Sequence, residues 1–99
     1  MYRGTTPTLQ FKLPFSAENI EVLNIAFAQK NNVVLEKGLE DAEIEGDTVN
    51  VTLSQEDTLA FDADISVEMQ IRCRNTDGNA LASNIIKTKA KRILKEGEI

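Results

Sequence analysis

Residues 65–74, ISVEMQIRCR, alternate apolar and polar side chains without a break. Successive side chains of a β-strand point to opposite faces, so the pattern predicts a strand with one face on a core and the other in water. The segment that follows, Asn75–Asn79, contains Gly78 among polar residues, which is typical of a hairpin turn because glycine takes positive φ at no steric cost. These two segments predict a half-buried antiparallel sheet.

Shorter segments with the same alternation lie N-terminal to this strand, between turn residues. Residues 9–13 predict a first strand at a sheet edge, because Pro14 ends it and cannot donate a ladder hydrogen bond. The pair Asn31-Asn32 predicts a tight turn into a short strand over residues 33–35.

A hairpin and a helical turn are predicted in the middle of the chain. Residues 43–53 alternate on both sides of Glu45-Gly46-Asp47, which predicts a hairpin. Ser54 can then cap one helical turn near residues 54–59, and Asp57 can reach back to the Ser54 backbone as in a capping box.

Two further segments fit either a helix or a strand. Over residues 16–29, apolar side chains at helical spacing compete with two alternating pairs, 20/22 and 25/27, separated by an inserted residue as in a β-bulge. The dominance of Ile, Val and Phe favours the strand. Over residues 80–94, the position directly after the predicted turn favours a strand in the first half.

About seven short strands with turns every eight to twelve residues predict an all-β fold, an immunoglobulin-like two-sheet antiparallel sandwich. Two facing sheets allow every apolar stripe to be covered by another. We expect a flexible N-terminal arm over residues 1–8, which has no apolar anchor before Leu9. The sandwich is expected over residues 9–94 and a C-terminal tail over residues 95–99.

The composition argues against several classes of function. Net charge is −5, and an acidic surface repels duplex nucleic acid and anionic membranes, so we expect neither as a partner. The chain has no histidine, the commonest general base and zinc ligand, and it carries no glycine-rich phosphate loop or nucleophile elbow. The only cysteine, Cys73, lies on the inward side of the predicted strand and fits a buried thiol. We therefore expect a protein that is not an enzyme and that uses no cofactor.

An acidic segment is the first candidate binding site. Residues 36–47 carry six acidic side chains and one lysine. A calcium ion would need several of these oxygens to converge, joined by Asp62 and Asp64. A solvated strand and loop is the simpler interpretation, because the spacing is not that of an EF-hand.

A basic segment is the second candidate site, and it comprises Lys87, Lys89, Lys91, Arg92 and Lys95. Its lysines could simply blunt an exposed sheet edge against unwanted pairing. An acidic flank and a basic flank on one small domain would also let copies meet head to tail, or let one copy dock on a complementary partner.

The outward face of the strand over residues 65–74 presents Gln70, Arg72 and Arg74. We predict that this face forms a protein-docking surface, and that the basic segment contributes to it through Lys87, Lys89 and Lys91. Simple solvation of the same side chains is the alternative. The N-terminal arm is expected to stay mobile until something pairs with it, as in strand addition.

Four segments carry a resemblance to a known class of proteins: Gly4–Pro14, Leu53–Phe61, Gln70–Arg72 and Leu81–Asn84. They resemble the small β-sandwich proteins encoded in prophages of Gram-positive bacteria. The layout is more distantly similar to the N-terminal immunoglobulin-like domain of phage baseplate upper proteins.

The resemblance implies a structural or assembly component of a phage or prophage particle, of the tail or baseplate type. Its partners would be other phage structural proteins or further copies of itself, as a homo-oligomer. It also implies synthesis in the bacterial cytoplasm and, after assembly, a place in the virion, and the first residues lack the apolar stretch of a signal peptide. The alternative is a carbohydrate- or protein-binding module of the same fold, assisted by calcium if the acidic side chains converge.

Overall fold

A computed structural model describes all 99 residues. The chain forms eight strands: β1 Thr8–Lys12, β2 Ile20–Gln29, β3 Asn32–Gly38, β4 Ala42–Glu45, β5 Thr48–Thr52, β6 Ser66–Asn75, β7 Ala80–Ala82 and β8 Ile86–Lys89. A 3-10 turn over Leu39–Asp41 joins β3 to β4, and a short helix, α1 Gln55–Leu59, lies between β5 and β6. No helix is both long enough and apolar enough to cross a membrane.

The strands form two antiparallel sheets. The small sheet has the order β1-β5-β4, and the large sheet has the order β3-β2-β6, with β7 and β8 pairing successive parts of the remaining edge of β6. This matches the order B-E-D and C′-C-F-G of an immunoglobulin-like sandwich without its first strand. The predicted fold class is confirmed, and so is the position of the first strand at a sheet edge.

The core lies between the two sheets and contains 15 buried apolar residues. Both sheets and the segments that connect them contribute: Phe11, Leu13, Ala17, Leu23, Ile25, Phe27, Val49, Val51, Leu53, Phe61, Val67, Met69, Ile71, Cys73 and Ala90. The rings of Phe27 and Phe61 pack at a tilt of 50° with centroids 6.1 Å apart, which joins β2 to the segment after α1.

Strand β6 confirms the prediction made from residues 65–74. Its inward side chains Val67, Met69, Ile71 and Cys73 are buried, and the residues between them point outward. The helical turn is confirmed as well. The backbone N–H of Asp57 donates to Ser54 Oγ at 3.0 Å, and the Ser54 N–H donates to Asp57 Oδ2 at 2.9 Å.

The segment 80–94 forms two short strands rather than one, which brings the total to eight. The chain leaves β6 at Ser83, whose Oγ accepts the N–H of Ile71 at 3.0 Å and whose N–H donates to the Ile71 carbonyl at 2.8 Å. The first turn also differs by one residue from the prediction. Lys30 and Asn31, with φ of 50° and 65°, form the turn between β2 and β3, as a two-residue hairpin of the primed type requires.

Strand β2 confirms the preference for a strand over residues 16–29, but the predicted position of the bulge is wrong. The register against β6 shifts between Ile20 and Val22, not between Val22 and Ile25. Val22 is consequently 47% exposed, and Leu23 is buried instead. With this register, every second residue of β2 from Leu23 to Gln29 faces inward. It also buries the larger leucine side chain, which stabilises the core more than burial of a valine.

Residues 1–8 differ from the expected free arm because the first residues pair with their own chain. Tyr2 forms a parallel bridge with Lys91: the Lys91 N–H donates to the Met1 carbonyl at 2.8 Å, and the Arg3 N–H donates to the Lys91 carbonyl at 3.1 Å. The Arg3 guanidinium donates to the carbonyls of Phe61 at 2.6 Å and Leu59 at 3.1 Å. Met1 is also partly buried against the core, so the segment is held by polar and apolar contacts, and the expectation of no apolar anchor before Leu9 is wrong.

Candidate protein-interaction face

The outward surface of β6 and β8 brings together most of the predicted docking residues. Gln70, Arg72 and Arg74 alternate with the buried residues of β6 and so point away from the core. Strand β8 pairs with β6 so that Lys87 lies opposite Glu68 and Lys89 lies opposite Ser66. Residues directly opposite each other in an antiparallel pair share a face. These five predicted residues, Gln70, Arg72, Arg74, Lys87 and Lys89, therefore lie on one surface, which we name the β6–β8 face.

Lys91, the sixth predicted residue, lies two positions beyond the end of β8. Its Nζ is 5.1 Å from the centroid of the Tyr2 ring, within the range of a cation–π contact. Lys91 therefore belongs to the contact between the first residues and the end of β8, at the margin of the β6–β8 face.

The polar residues of the β6–β8 face differ in the contacts that they already make within the chain. Gln70 is only partly exposed, and its Nε2 donates to the Ser83 carbonyl at 3.0 Å, so it supports the departure of the chain from β6. Arg74 pairs with Glu21, with 3.1 Å between Nε and Oε1 and both side chains about half exposed. An exposed pair of this kind contributes little to stability and can be exchanged for a partner's carboxylate.

Three cations of the face have no internal ion pair. Arg72, Lys87 and Lys89 are exposed, and none of them lies within 4.0 Å of a carboxylate oxygen. These residues are exposed, so a partner with negative charge can approach them without breaking an ion pair within this chain.

A shallow depression of about 270 Å³, lined in part by Gln70 and Glu68, lies on the same outer surface, and sequence reasoning missed it. Its floor includes Ala26 and Ala28, the small outward residues of β2, and its walls include Val33 and Ile85. Val33 is 59% exposed and Ile85 is 55% exposed. The signal in the sequence was the alternation of Ile25 and Phe27 with alanine. Small alanine side chains at outward positions leave a depression between the larger side chains around them.

The acidic segment runs along β3, the 3-10 turn and β4, and its first member, Glu36, lines a depression on the outer surface of the large sheet together with Arg72 and Arg74. Glu36 is exposed on β3, Glu40 and Asp41 lie in the 3-10 turn, and Glu43 and Glu45 are exposed on β4. Strand β3 is one edge of the large sheet, and β4 is one edge of the small sheet. We name this side the acidic edge.

The acidic side chains do not converge on a point. Asp41 Oδ2 accepts the N–H of Gly38 at 2.9 Å, and Glu36 Oε1 accepts from Asn24 Nδ2 at 3.0 Å. No group of three or more His, Cys, Asp or Glu side chains in the structure could hold a metal ion. The calcium site considered for residues 36–47 with Asp62 and Asp64 is therefore not formed by this geometry.

The opposite side of the large sheet carries the basic residues. Strand β8 lies beyond β6 and β2 as counted from β3, so three inter-strand spacings, about 14 Å, separate β3 from β8. We name the side formed by Lys87, Lys89 and Lys91 the basic edge. The two edges thus give the domain a strong separation of charge across the large sheet.

Cys73 is buried on the inward side of β6 at 5% exposure. Burial raises the pKa of its thiol, so the thiolate required for nucleophilic attack is disfavoured. This geometry agrees with a thiol that packs as a small apolar side chain.

Comparisons of the chain with known protein families, with curated proteins and with solved structures find no match. What the chain binds is therefore inferred from the charges and the exposed side chains of its two edges.

Proposed function

We propose that this chain is a non-enzymatic structural or assembly module of a phage or prophage particle, of the tail or baseplate type. It binds other phage structural proteins, or further copies of itself, through the β6–β8 face. The observation that carries the interaction role is the set of exposed cations without an internal ion pair, Arg72, Lys87 and Lys89, on one face of a sheet. The assignment to a phage particle is supported by the sequence resemblance over Gly4–Pro14, Leu53–Phe61, Gln70–Arg72 and Leu81–Asn84.

The chemistry of the face suits a protein partner. Protein interfaces combine a small apolar centre with a polar rim, and arginine is enriched in them. Here exposed Ile85 and Val33 border the depression, and Arg72 and Lys87 lie on the same face around it. An apolar side chain of a partner can enter the depression while its carboxylates meet the surrounding cations.

The test of the phage assignment is the location of the chain after prophage induction in the strain that encodes it. Particles and assembly intermediates are separated on a density gradient, and the chain is quantified in each fraction by mass spectrometry. We expect it to co-sediment with particles or with an intermediate. A chain found only at the top of the gradient would overturn the proposal.

The test of the face is charge reversal. Arg72→Glu and Lys89→Glu, separately and together, should remove the chain from the particle or intermediate fractions, because each places an acidic side chain where the partner's acidic groups approach. Lys30→Glu is the matched control, since Lys30 is exposed at the β2–β3 turn and forms no ion pair. The melting temperature should be unchanged in all variants. Normal incorporation of the double variant would remove the face from the proposal.

A further inference from the structure

We infer that the basic edge of one copy of this chain binds the acidic edge of a second copy, so that copies associate head to tail. This inference rests on the proposed function, because it names the partner of the same face. A second copy is the partner because the charges of the two edges are complementary.

The two sequence segments that contain the edges carry nearly equal and opposite charge. Residues 32–47 contain six acidic side chains, Glu36, Glu40, Asp41, Glu43, Glu45 and Asp47, and a single lysine. That lysine, Lys37, is already paired with Asp57 at 2.9 Å and is 18% exposed, so it does not neutralise the acidic edge. Residues 86–95 contain five cations and no acidic residue. One sign of charge therefore dominates each segment, although Glu68 lies opposite Lys87 and Glu36 lines a depression with Arg72 and Arg74.

The sign of the edges selects the symmetry of the contact. A two-fold axis that passes through either edge brings that edge against the same edge of the partner. On this chain that would place lysine against lysine, or glutamate against glutamate, which costs free energy at close range. When copies meet side by side through single edges, only the contact between unlike edges is attractive, and such a contact is heterologous.

The position of the edges determines the form of the assembly. Because they lie on opposite sides of the large sheet, a copy that uses its basic edge still has a free acidic edge, and the association continues into a ring or an open chain. The contact is made mainly by side chains. The ladder between β2 and β3 is shifted between Phe27 and Ala28, and residues 1–3 pair with the chain just after β8 at Lys91, so β3 carries an irregularity and part of the chain beside β8 is already paired.

The first experiment is sedimentation velocity on the purified chain over a range of concentrations. At low ionic strength, about 20 mM, the average mass should rise above the monomer mass of 11.0 kDa as concentration increases. At about 0.5 M salt it should return to that of the monomer, because screening weakens contacts between exposed charges. A chain that is strictly monomeric at low salt and high concentration would overturn the inference.

The second experiment uses neutralised edges. One variant, Lys87→Gln with Lys89→Gln, removes the two β8 cations of the basic edge and leaves the acidic edge intact. The other, Glu43→Gln with Glu45→Gln, removes the two β4 carboxylates of the acidic edge and leaves the basic edge intact. Each should be monomeric alone, and an equimolar mixture should give a 1:1 complex that grows no further, since each copy contributes one intact edge. Association of either variant alone, or a mixture that stays monomeric, would contradict a head-to-tail contact.

A matched control removes the same amount of charge away from both edges. Glu18 and Asp77 are exposed, lie in turns and form no ion pair. The variant Glu18→Gln with Asp77→Asn should associate as the unmodified chain does. If it also becomes monomeric, net charge rather than edge complementarity governs association, and the inference fails.

The head-to-tail contact and the phage assignment can each fail without the other. A chain that enters particles but is monomeric in solution, with the Glu43→Gln and Glu45→Gln variant incorporated normally, overturns the inference and leaves the proposed function in place. A chain that forms the expected 1:1 complex between variants but never co-sediments with particles or intermediates overturns the phage assignment and leaves the head-to-tail contact in place.

Discussion

Lys37 near the end of β3 and Asp57 in α1 form an ion pair, with 2.9 Å between Nζ and Oδ2. Their side chains are 18% and 14% exposed, so the pair ties the edge of the large sheet to the helix that follows the small sheet. Burial raises the pKa of Asp57, but hydrogen bonds from the Ser54 backbone and from Lys37 outweigh burial and lower the pKa below its ordinary value of 3.8. The carboxylate thus stabilises both the helix start and the contact between the sheets.

Replacing this carboxylate should cost stability in a pH-dependent manner. Asp57→Asn should lower the free energy of unfolding at neutral pH by about 1–2 kcal/mol, because the cap and the ion pair are weakened together. The folded pKa lies below the unfolded pKa, so the stabilisation is present above the unfolded value of 3.8 and is lost as the pH falls through the folded value. Urea unfolding at pH 7 and at about pH 3 should show the difference between the two proteins shrinking.

The control for this prediction lies in the same turn. Glu56 is exposed and forms no ion pair, so Glu56→Gln should change stability by about 0.5 kcal/mol or less at either pH. An Asp57→Asn effect that is equally large at both pH values would show that the charge of the carboxylate is not its source.

Arg3 should be the residue that holds the first residues in place. Its guanidinium donates to two backbone carbonyls and binds both carboxylate oxygens of Glu96, at 2.7 Å and 2.9 Å. Arg3→Lys should therefore cost about 2–3 kcal/mol, since an ammonium cannot reproduce a planar, forked set of donors. Glu96 is 61% exposed, and Glu96→Gln should cost less than about 1 kcal/mol. Equal effects of the two substitutions on urea unfolding would show that the carbonyl contacts do not stabilise the fold.

The alternation of apolar residues predicted the strands well, because it determines directly which face of a strand can be buried. In β6 the residues Val67, Met69, Ile71 and Cys73 face the small sheet, and a shift of one residue would have put four polar side chains in their place. The same alternation was sufficient for the β6 half of the candidate site, because the outward residues follow from the inward ones.

The parts that could not be predicted depend on contacts between distant residues. Alternation alone does not choose between Val22 and Leu23, because the choice depends on the register of β2 against β6. The carbonyls that bind Arg3 are 58 and 56 positions away in the chain, and no local pattern marks them. The position of Lys87 opposite Glu68 likewise depends on the break at Ser83 between β7 and β8.

Gln29 should be the most sensitive polar residue of the core. It is 5% exposed, and its amide binds the segment before β6: Oε1 accepts the Asp62 N–H at 2.8 Å, and Nε2 donates to the carbonyls of Asp62 at 2.9 Å and Ile65 at 3.2 Å. Gln29→Leu leaves these groups without that partner and should cost about 2–4 kcal/mol in urea unfolding.

Two further variants, one at Gln29 itself and one at an exposed glutamine, make the prediction specific. Gln29→Glu keeps an acceptor for the Asp62 N–H but brings a negative charge to two carbonyls, so it should cost at least as much as Gln29→Leu at neutral pH. Gln10→Leu, on the exposed face of β1, should change stability by about 0.5 kcal/mol or less. A Gln29→Leu effect as small as that of Gln10→Leu would show that the amide contacts do not form.

Cys73 should react with thiol reagents only when the fold opens. It is buried, and burial raises the pKa of its thiol, so both access and the thiolate fraction are low in the folded state. The rate of modification by a chromogenic disulfide reagent should rise steeply across the urea unfolding transition. Fast modification of the folded chain in water would mean that the inward face of β6 is accessible to solvent.

Leu23 and Val22 test the register of β2 directly. Leu23 is buried at 5% exposure, so Leu23→Ala should cost about 2–4 kcal/mol through lost apolar burial and the cavity that remains. Val22 is 47% exposed and should lose less than about 1 kcal/mol on replacement by alanine. The bulge position predicted from the alternating pairs requires the reverse order, since it turns Val22 inward and leaves Leu23 at the inserted position. Urea unfolding of the two variants therefore distinguishes the two registers, and a larger loss for Val22→Ala would place the bulge between Val22 and Ile25.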